Sequence, residues 1–385
     1  MNVNNTESLQ NLANEKALDN ILQNLANEKA LDNNITSQEQ SILDSAQDQS
    51  NRYTYLDWNS CGKLHINCQN AMIKSWAGYC YNTKSKHALG SLTRKYVNEL
   101  SQKLLRLLDA DEHSIIFGSG ATEINSNMMS LYKTKFISDV EHSSILHAPD
   151  VKVVPVDKNG AVLLDVLEKM LIDAPKPFLV SVILANNETG IINDLAPVRQ
   201  LVTKYGGYLH TDAAQAFGRI QISLDELDVD YMTISSHKFA GPMGVGLLVH
   251  HKRAPTWGYN LRTVPAPLIA GLVEALSVSP SNNSYFEERL SSLDNVVIVG
   301  LGLRRLPNTT CIYFKNLPKD SSVLTEFDLN NICVSTGSAY CRSYVSHTAA
   351  AMGIEYPTIR ISSGWATTKD DFDRCFDVVQ KMSTI

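Results

Sequence analysis

The 385-residue sequence has no basic block, no long apolar run and no paired cysteines. Each absence excludes something. Its 34 Lys and Arg are spread among 40 Asp and Glu for a net charge of −6, so no patch is offered to nucleic acid or an anionic membrane. The longest apolar runs, such as FLVSVILA at 178–185, fall far below the ~18 residues that span a bilayer. The seven cysteines are odd in number and form no CxxC pair, which argues against a disulfide framework or a zinc site. The first residues lack a basic start and an apolar core, so no secretory signal is expected and a reducing, cytoplasmic setting is.

Residues 1–52 also lack glycine, proline and aromatic residues. What is there is a direct repeat, LQNLANEKALDN at 9–20 and again at 22–33. At about 100° per residue a 13-residue period turns a helix by roughly 220°, so the two apolar sets do not share a stripe. This segment is expected to be a polar, mobile tail.

From Tyr53 the pattern becomes globular. A helical run at 94–110 alternates with β-rich runs at 114–117, 151–156, 178–184, 208–212, 231–235 and 245–250. Such alternation predicts an α/β sheet, largely parallel and buried on both faces, with ligands at the carboxyl ends of its strands. A large domain is expected over 53–263, its first residues packing on a smaller α+β domain over 264–385.

Polar residues collect at the predicted strand ends. In FGSGATEINSN (117–127) a small-residue turn opens a helix; its free N–H groups and the Thr122 hydroxyl suit a phosphate, or Thr122 is simply the helix cap. In HTDAAQ (210–215) Asp212 sits at the sheet mouth, where a buried carboxylate needs a cation such as a protonated pyridine, unless it too is a cap. In SSHKFAGPMGVG (235–246) Lys238 follows a buried strand; desolvation lowers a lysine's pKa and lets it bond a carbonyl, whereas most lysines merely face solvent. Ser235 and His237 flank it with donors. His142 and the ANNETG stretch (185–190) end two more strands, and Arg360 interrupts an apolar strand, where a carboxylate bound bidentately suits it. Taken together, these groups are what pyridoxal 5'-phosphate and an amino acid require.

Over most of 53–385 the sequence resembles the cysteine desulfurases, in the class V aminotransferase group of fold-type I pyridoxal-phosphate enzymes. YLDWNS (55–60), NTKSKHALG (82–90), FGSGATEINSN, EHSSIL (141–146), ANNETG, HTDAAQ, SSHKFAGPMGVG and TIRISSG (358–364) follow the family's motifs in order. The resemblance implies a mostly parallel seven-stranded sheet and conversion of L-cysteine to L-alanine. Lys238 would bond the cofactor and move the Cα proton, Asp212 would hold its pyridine nitrogen, Gln215 its ring oxygen, and His142 would stack on the ring. Ala121, Thr122, Ser235 and His237 would hold the phosphate, and Asn187 and Arg360 the substrate carboxylate. Cys341 would take the sulfur as a persulfide for a sulfur-acceptor protein, serving iron–sulfur cluster assembly or tRNA thiolation. A homodimer is implied, with Thr263 reaching the neighbour's phosphate. No metal is expected.

This chain departs from the family in three places. Cys341 stands one residue late, behind Tyr340; the glycine-rich loop before Thr263 is reduced to WGYNLRT (257–263); and residues 276–308 are abbreviated. Two alternatives stay open: a related class V lyase or aminotransferase such as a selenocysteine lyase, and a cofactor-binding scaffold paralogue. The other six cysteines are expected to be buried packing residues.

Overall fold

The computed structural model describes residues 52–256, 263–318, 323–337 and 345–384. A two-residue strand, β1 (Thr54–Tyr55), leads into a helix at Ile66–Gly78 and a longer one at Ala88–Leu107. The six β-rich runs become β2 (His113–Gly118), β4 (Val151–Val154), β5 (Phe178–Ser181), β6 (Tyr208–Asp212), β7 (Tyr231–Ser235) and β8 (Gly246–His251), and a strand outside those runs, β3 (Thr134–Ser138), joins them. They form one seven-stranded sheet in the order β2-β8-β7-β6-β5-β3-β4. β8 runs antiparallel to β2 and β7, and every other adjacent pair is parallel.

Every residue of β5 and β7 is buried, as in a sheet covered on both faces, and this is why those strands read as near-continuous apolar runs. Phe136, Phe178, Val180, Leu209, Met232 and Leu247 supply the strand side of the core; Leu104, Leu167 and Val198 come from covering helices. At the sheet centre His210 bonds Ser181 Oγ (2.9 Å) and Thr233 Oγ1 (3.0 Å), tying β5, β6 and β7 together. Burial pushes its pKa down to about 3, so it stays neutral.

A second core lies under β9 (Val296–Ile298), β10 (Thr309–Phe314), β11 (Ile332–Cys333) and β12 (Ile359–Ser362). The strands β12-β10-β9 form an antiparallel sheet, and β11 pairs in parallel with β1. Helix Lys369–Ser383 covers this core with Phe372, Phe376 and Val379, and its start is fixed by a Thr368–Asp371 capping box. Leu56 enters the same core. The expected division at 263/264 shifts: helix Ala266–Ala275, apolar nearly all round, belongs to the first core through Ile269, Leu272 and Val273. The second unit's own elements begin at helix Ser284–Leu290.

The cysteine expectation holds for half of the described cases. Cys68, Cys311 and Cys375 are buried, but Cys61 and Cys333 are half-buried and Cys80 is exposed. Cys61 follows a turn and Cys80 a helix end, so neither lies on the repeating face that buries a side chain. The tail at 1–51 and the Tyr340–Cys341 pair fall outside the described residues.

Candidate active site

The carboxyl ends of β2, β3, β5, β6 and β7 converge on one cavity of 520 Å³, to which β12 contributes Arg360. Lys238 is delivered by a single 3₁₀ turn, Ser236–Phe239, directly after β7. Its Nζ donates to the carbonyls of Asn59 (3.0 Å) and Ser60 (2.8 Å). Burial, then the charges of Arg360 and Arg219, lower its pKa to about 8. A surface lysine is excluded: this amine is neutral within reach of physiological pH, as a nucleophile or base must be.

Asp212 ends β6 and is 3 % exposed. No helix follows it, so it is no cap; its oxygens accept from Asn125 Nδ2 (2.8 Å) and the Ala214 N–H (2.9 Å). Asn125 was missed in the sequence. It lies four residues after Ala121, on the inner face of helix Ala121–Ser130, and also donates to Ser144 Oγ (3.0 Å). Ser144 in turn meets His142 Nδ1 (2.8 Å), and its N–H donates to the same nitrogen (3.2 Å). Because Nδ1 accepts from a backbone N–H, the neutral ring carries its proton on Nε2. Burial lowers the His142 pKa, Asp212 opposes that and Lys238 reinforces it.

Helix Ala121–Ser130 starts at Gly120, not at Thr122, and no side chain caps it. A Cβ built on Gly120 would meet only Ser235 Oγ, at 3.9 Å, so the space before the first turn is open. Ala121, Thr122, Ser235 and His237 all face the cavity there. Ser235 Oγ lies 3.2 Å from His237 Nδ1, and burial, then Lys238, pushes the His237 pKa down to about 4. Uncapped N–H groups with neutral donors suit a phosphate, while Asp212, held by Asn125 of the same helix, suits a protonated ring nitrogen. The donor set therefore fits pyridoxal phosphate.

Arg360 lies on β12 at 5 % exposure. The expected clamp is already engaged: Nη2 donates to Asp57 Oδ1 (2.6 Å) and Ser60 Oγ (3.0 Å), and Nη1 to the Asn187 carbonyl (2.7 Å), while Nε has no partner. A buried guanidinium needs an anion, and Asp57 is the one its own chain supplies. Gln215 lines the cavity, its Nε2 donating to Asn59 O (3.0 Å). Thr263 is exposed and does not line the cavity.

Two acids here had no role in the sequence reading. Glu141, 3 % exposed, accepts from Ser138 Oγ (2.6 Å) and the Ile183 N–H (2.6 Å), and burial raises its pKa to about 8. Glu188, also raised by burial, accepts from Ser346 Oγ (2.6 Å). Gly337 and His347, which flank the undescribed 338–344, both line the cavity. Cys61 is a half-buried thiol whose pKa burial raises and Lys238 lowers. The signals for Glu141 and Glu188 were their places inside EHSSIL and ANNETG, beside residues already chosen.

Comparisons with known proteins agree with this geometry. The family model for aminotransferase class-V matches residues 54–256. A protein named cysteine desulfurase IscS from Dictyoglomus turgidum is 30% identical over 377 residues, covering 86% of this chain and 94% of that one. Human cysteine desulfurase is 28% identical over 382 residues, 86% of this chain and 82% of its own. Among solved structures, a NifS-like protein from Rickettsia africae superposes with a TM-score of 0.76 at 29% identity, over 86% of this chain and all of that one.

Proposed function

The chain belongs to the class V aminotransferases and, within them, to the cysteine desulfurases, and from that premise we propose how its residues take sulfur from L-cysteine and leave L-alanine. The carrying observation is that Lys238 after β7, Asp212 at the end of β6 and Arg360 on β12 line one cavity. Pyridoxal phosphate, when bound, acts as an electron sink that acidifies the Cα–H of an amino acid. Lys238, Asp212, Gln215 and His142 would hold its ring end, and Ala121, Thr122, Ser235 and His237 its phosphate.

Arg360 takes the substrate carboxylate, sharing its guanidinium between that anion and Asp57, and the Asn187 amide adds a donor. Lys238, deprotonated above about pH 8, removes the Cα proton and later returns one. The Cys341 thiolate attacks the substrate sulfur: an S–S bond forms, the Cβ–S bond breaks, and the electron pair left on carbon takes a proton to give alanine. The enzyme keeps a persulfide for an acceptor protein, as expected for iron–sulfur assembly or tRNA thiolation. The cavity-lining positions of Gly337 and His347 support Cys341 in this role.

A homodimer fits the exposed Ile66, Ile73 and Trp76 on helix Ile66–Gly78, and Thr263, exposed and outside the cavity of its own chain, is free to serve a neighbouring subunit. A reducing, cytoplasmic setting fits the free state of all six described cysteines. No helix among the described residues is long and apolar enough to cross a membrane.

The test is sulfide and alanine release from L-cysteine in the presence of dithiothreitol. Wild type yields both in equal amounts and Cys341→Ser loses sulfide release. Undiminished activity in Cys341→Ser removes that residue from the mechanism. A wild type that turns yellow with pyridoxal phosphate yet releases neither product points instead to a scaffold.

A further inference from the structure

Arg219 is a buried cation that the reaction as described does not use. It is 8 % exposed, and its donors end on carbonyl oxygens: Gln215 O (3.1 Å), Gln215 Oε1 and Lys238 O (2.6 Å). No carboxylate pairs with it among the described residues, and the nearby charge it feels is another cation, Arg360. Burying an unpaired guanidinium is costly, and burial followed by Arg360 lowers its pKa to about 9. The backbone is shaped to put it there. Gly218, at φ +77°, lies so close to Phe239 that a Cβ would approach its Cβ to 2.8 Å; a larger residue would push the Arg219 turn away from Lys238.

We propose that Arg219 is a positioning residue that sets two groups of the active site at once, the amide orientation of Gln215 and the backbone seat of Lys238. A guanidinium has donors only, so the Gln215 atom beside it is the oxygen, and Nε2 is turned to Asn59 O and the cavity. Gln215 then presents a donor, which suits an oxyanion on the cofactor ring; with the amide flipped it would present a lone pair and repel it. The bond to Lys238 O fixes the 3₁₀ turn from which the amine projects.

Arg219 also belongs to the charge field on that amine. The groups that face Lys238 are Arg360 from β12, Asp212 from β6, His142 at a helix start, His237 on its own turn, and Cys61 on the N-terminal segment. Arg219 and Arg360 favour the neutral amine; Asp212 and Cys61 oppose them.

The inference rests on the proposed function in that Lys238 and Gln215 must meet the cofactor. Two full-length variants separate its parts. Arg219→Met removes charge and donors; Arg219→Lys keeps the charge but cannot grip Gln215 Oε1 and Lys238 O together. Without added cofactor, the rate at which Lys238 is acylated by a lysine-directed reagent is followed against pH by peptide mass spectrometry. In Arg219→Met the midpoint rises by about one unit, and in Arg219→Lys it stays. With pyridoxal phosphate, the visible band reports cofactor affinity, which falls about tenfold in Arg219→Lys. An unchanged midpoint in Arg219→Met overturns the charge effect, and unchanged cofactor affinity in Arg219→Lys overturns the positioning. If Arg219→Met does not fold, Arg219→Lys and Gln215→Leu decide: Gln215→Leu also loses affinity, and the double variant loses no more than Arg219→Lys alone. Additive losses overturn the proposal. A wild type that binds no pyridoxal phosphate defeats the proposed function instead, while the acylation midpoints still judge Arg219.

Discussion

At Lys238, burial and two arginines act in one direction, toward a neutral amine. The unfolded lysine titrates near 10.5 and the folded one near 8, so the folded chain binds fewer protons between these values and gains stability as pH rises through them. Lys238→Met should flatten that rise in urea melts taken from pH 8 to 10.5. Glu141 has the opposite sign. Its folded value near 8 exceeds its ordinary 4.5, so its contribution is full below 4.5 and lost as pH rises through 8. In Glu141→Gln the fall in stability across that window should shrink, and an unchanged slope would mean that another group causes it. Arg360→Lys keeps the charge but loses the fork, so kcat/KM for cysteine should fall about 10- to 100-fold, the worth of a hydrogen bond to a charged group. Asp212 and Lys238 were legible as residues because a carboxylate and an amine at buried strand ends are hard to explain otherwise. Asp57, Asn125 and Arg219 were not, because a hydrogen-bond partner is chosen by distance in space and leaves no spacing in the chain.

Among the elements, the meeting of β8 with the start of helix Ala121–Ser130 governs the expected phosphate cradle. A Cβ on Gly246 would stand 2.8 Å from the Gly120 Cα and 2.8 Å from the Ile234 carbonyl, both backbone atoms that cannot swing aside. Gly246→Ala should therefore displace the helix start and weaken pyridoxal phosphate binding by at least tenfold, with a lower thermal midpoint. Normal binding would show that the helix start does not hold the phosphate. The strands themselves were readable, since buried parallel strands are apolar throughout. Their ends were less so: the run at 178–184 yields a strand only to Ser181, after which the chain turns toward Asn187 and Glu188 at the site. Helix Ala266–Ala275 packs in the first core for a reason its own sequence does not carry. An all-apolar helix shows that it is buried, not against what.

For the whole molecule, two packed cores meet across a cavity to which each contributes charged residues. The exposed apolar face of helix Ile66–Gly78 adds a further level. If it is the dimer surface, Ile73→Glu should convert a dimer to a monomer in sedimentation at micromolar concentration; a dimer unchanged by that charge would place the interface elsewhere. By itself the sequence determined the alternation of strands and helices, the family, and the amine and acid proposed for the site, because local periodicity and motif chemistry are written along the chain. Only the tertiary structure decided that Arg360 is held by Asp57, that Asn125 joins His142 to Asp212 through Ser144, and that Arg219 donates to the Lys238 carbonyl. Burial and charge act through space, and the residues they join are as much as 303 positions apart.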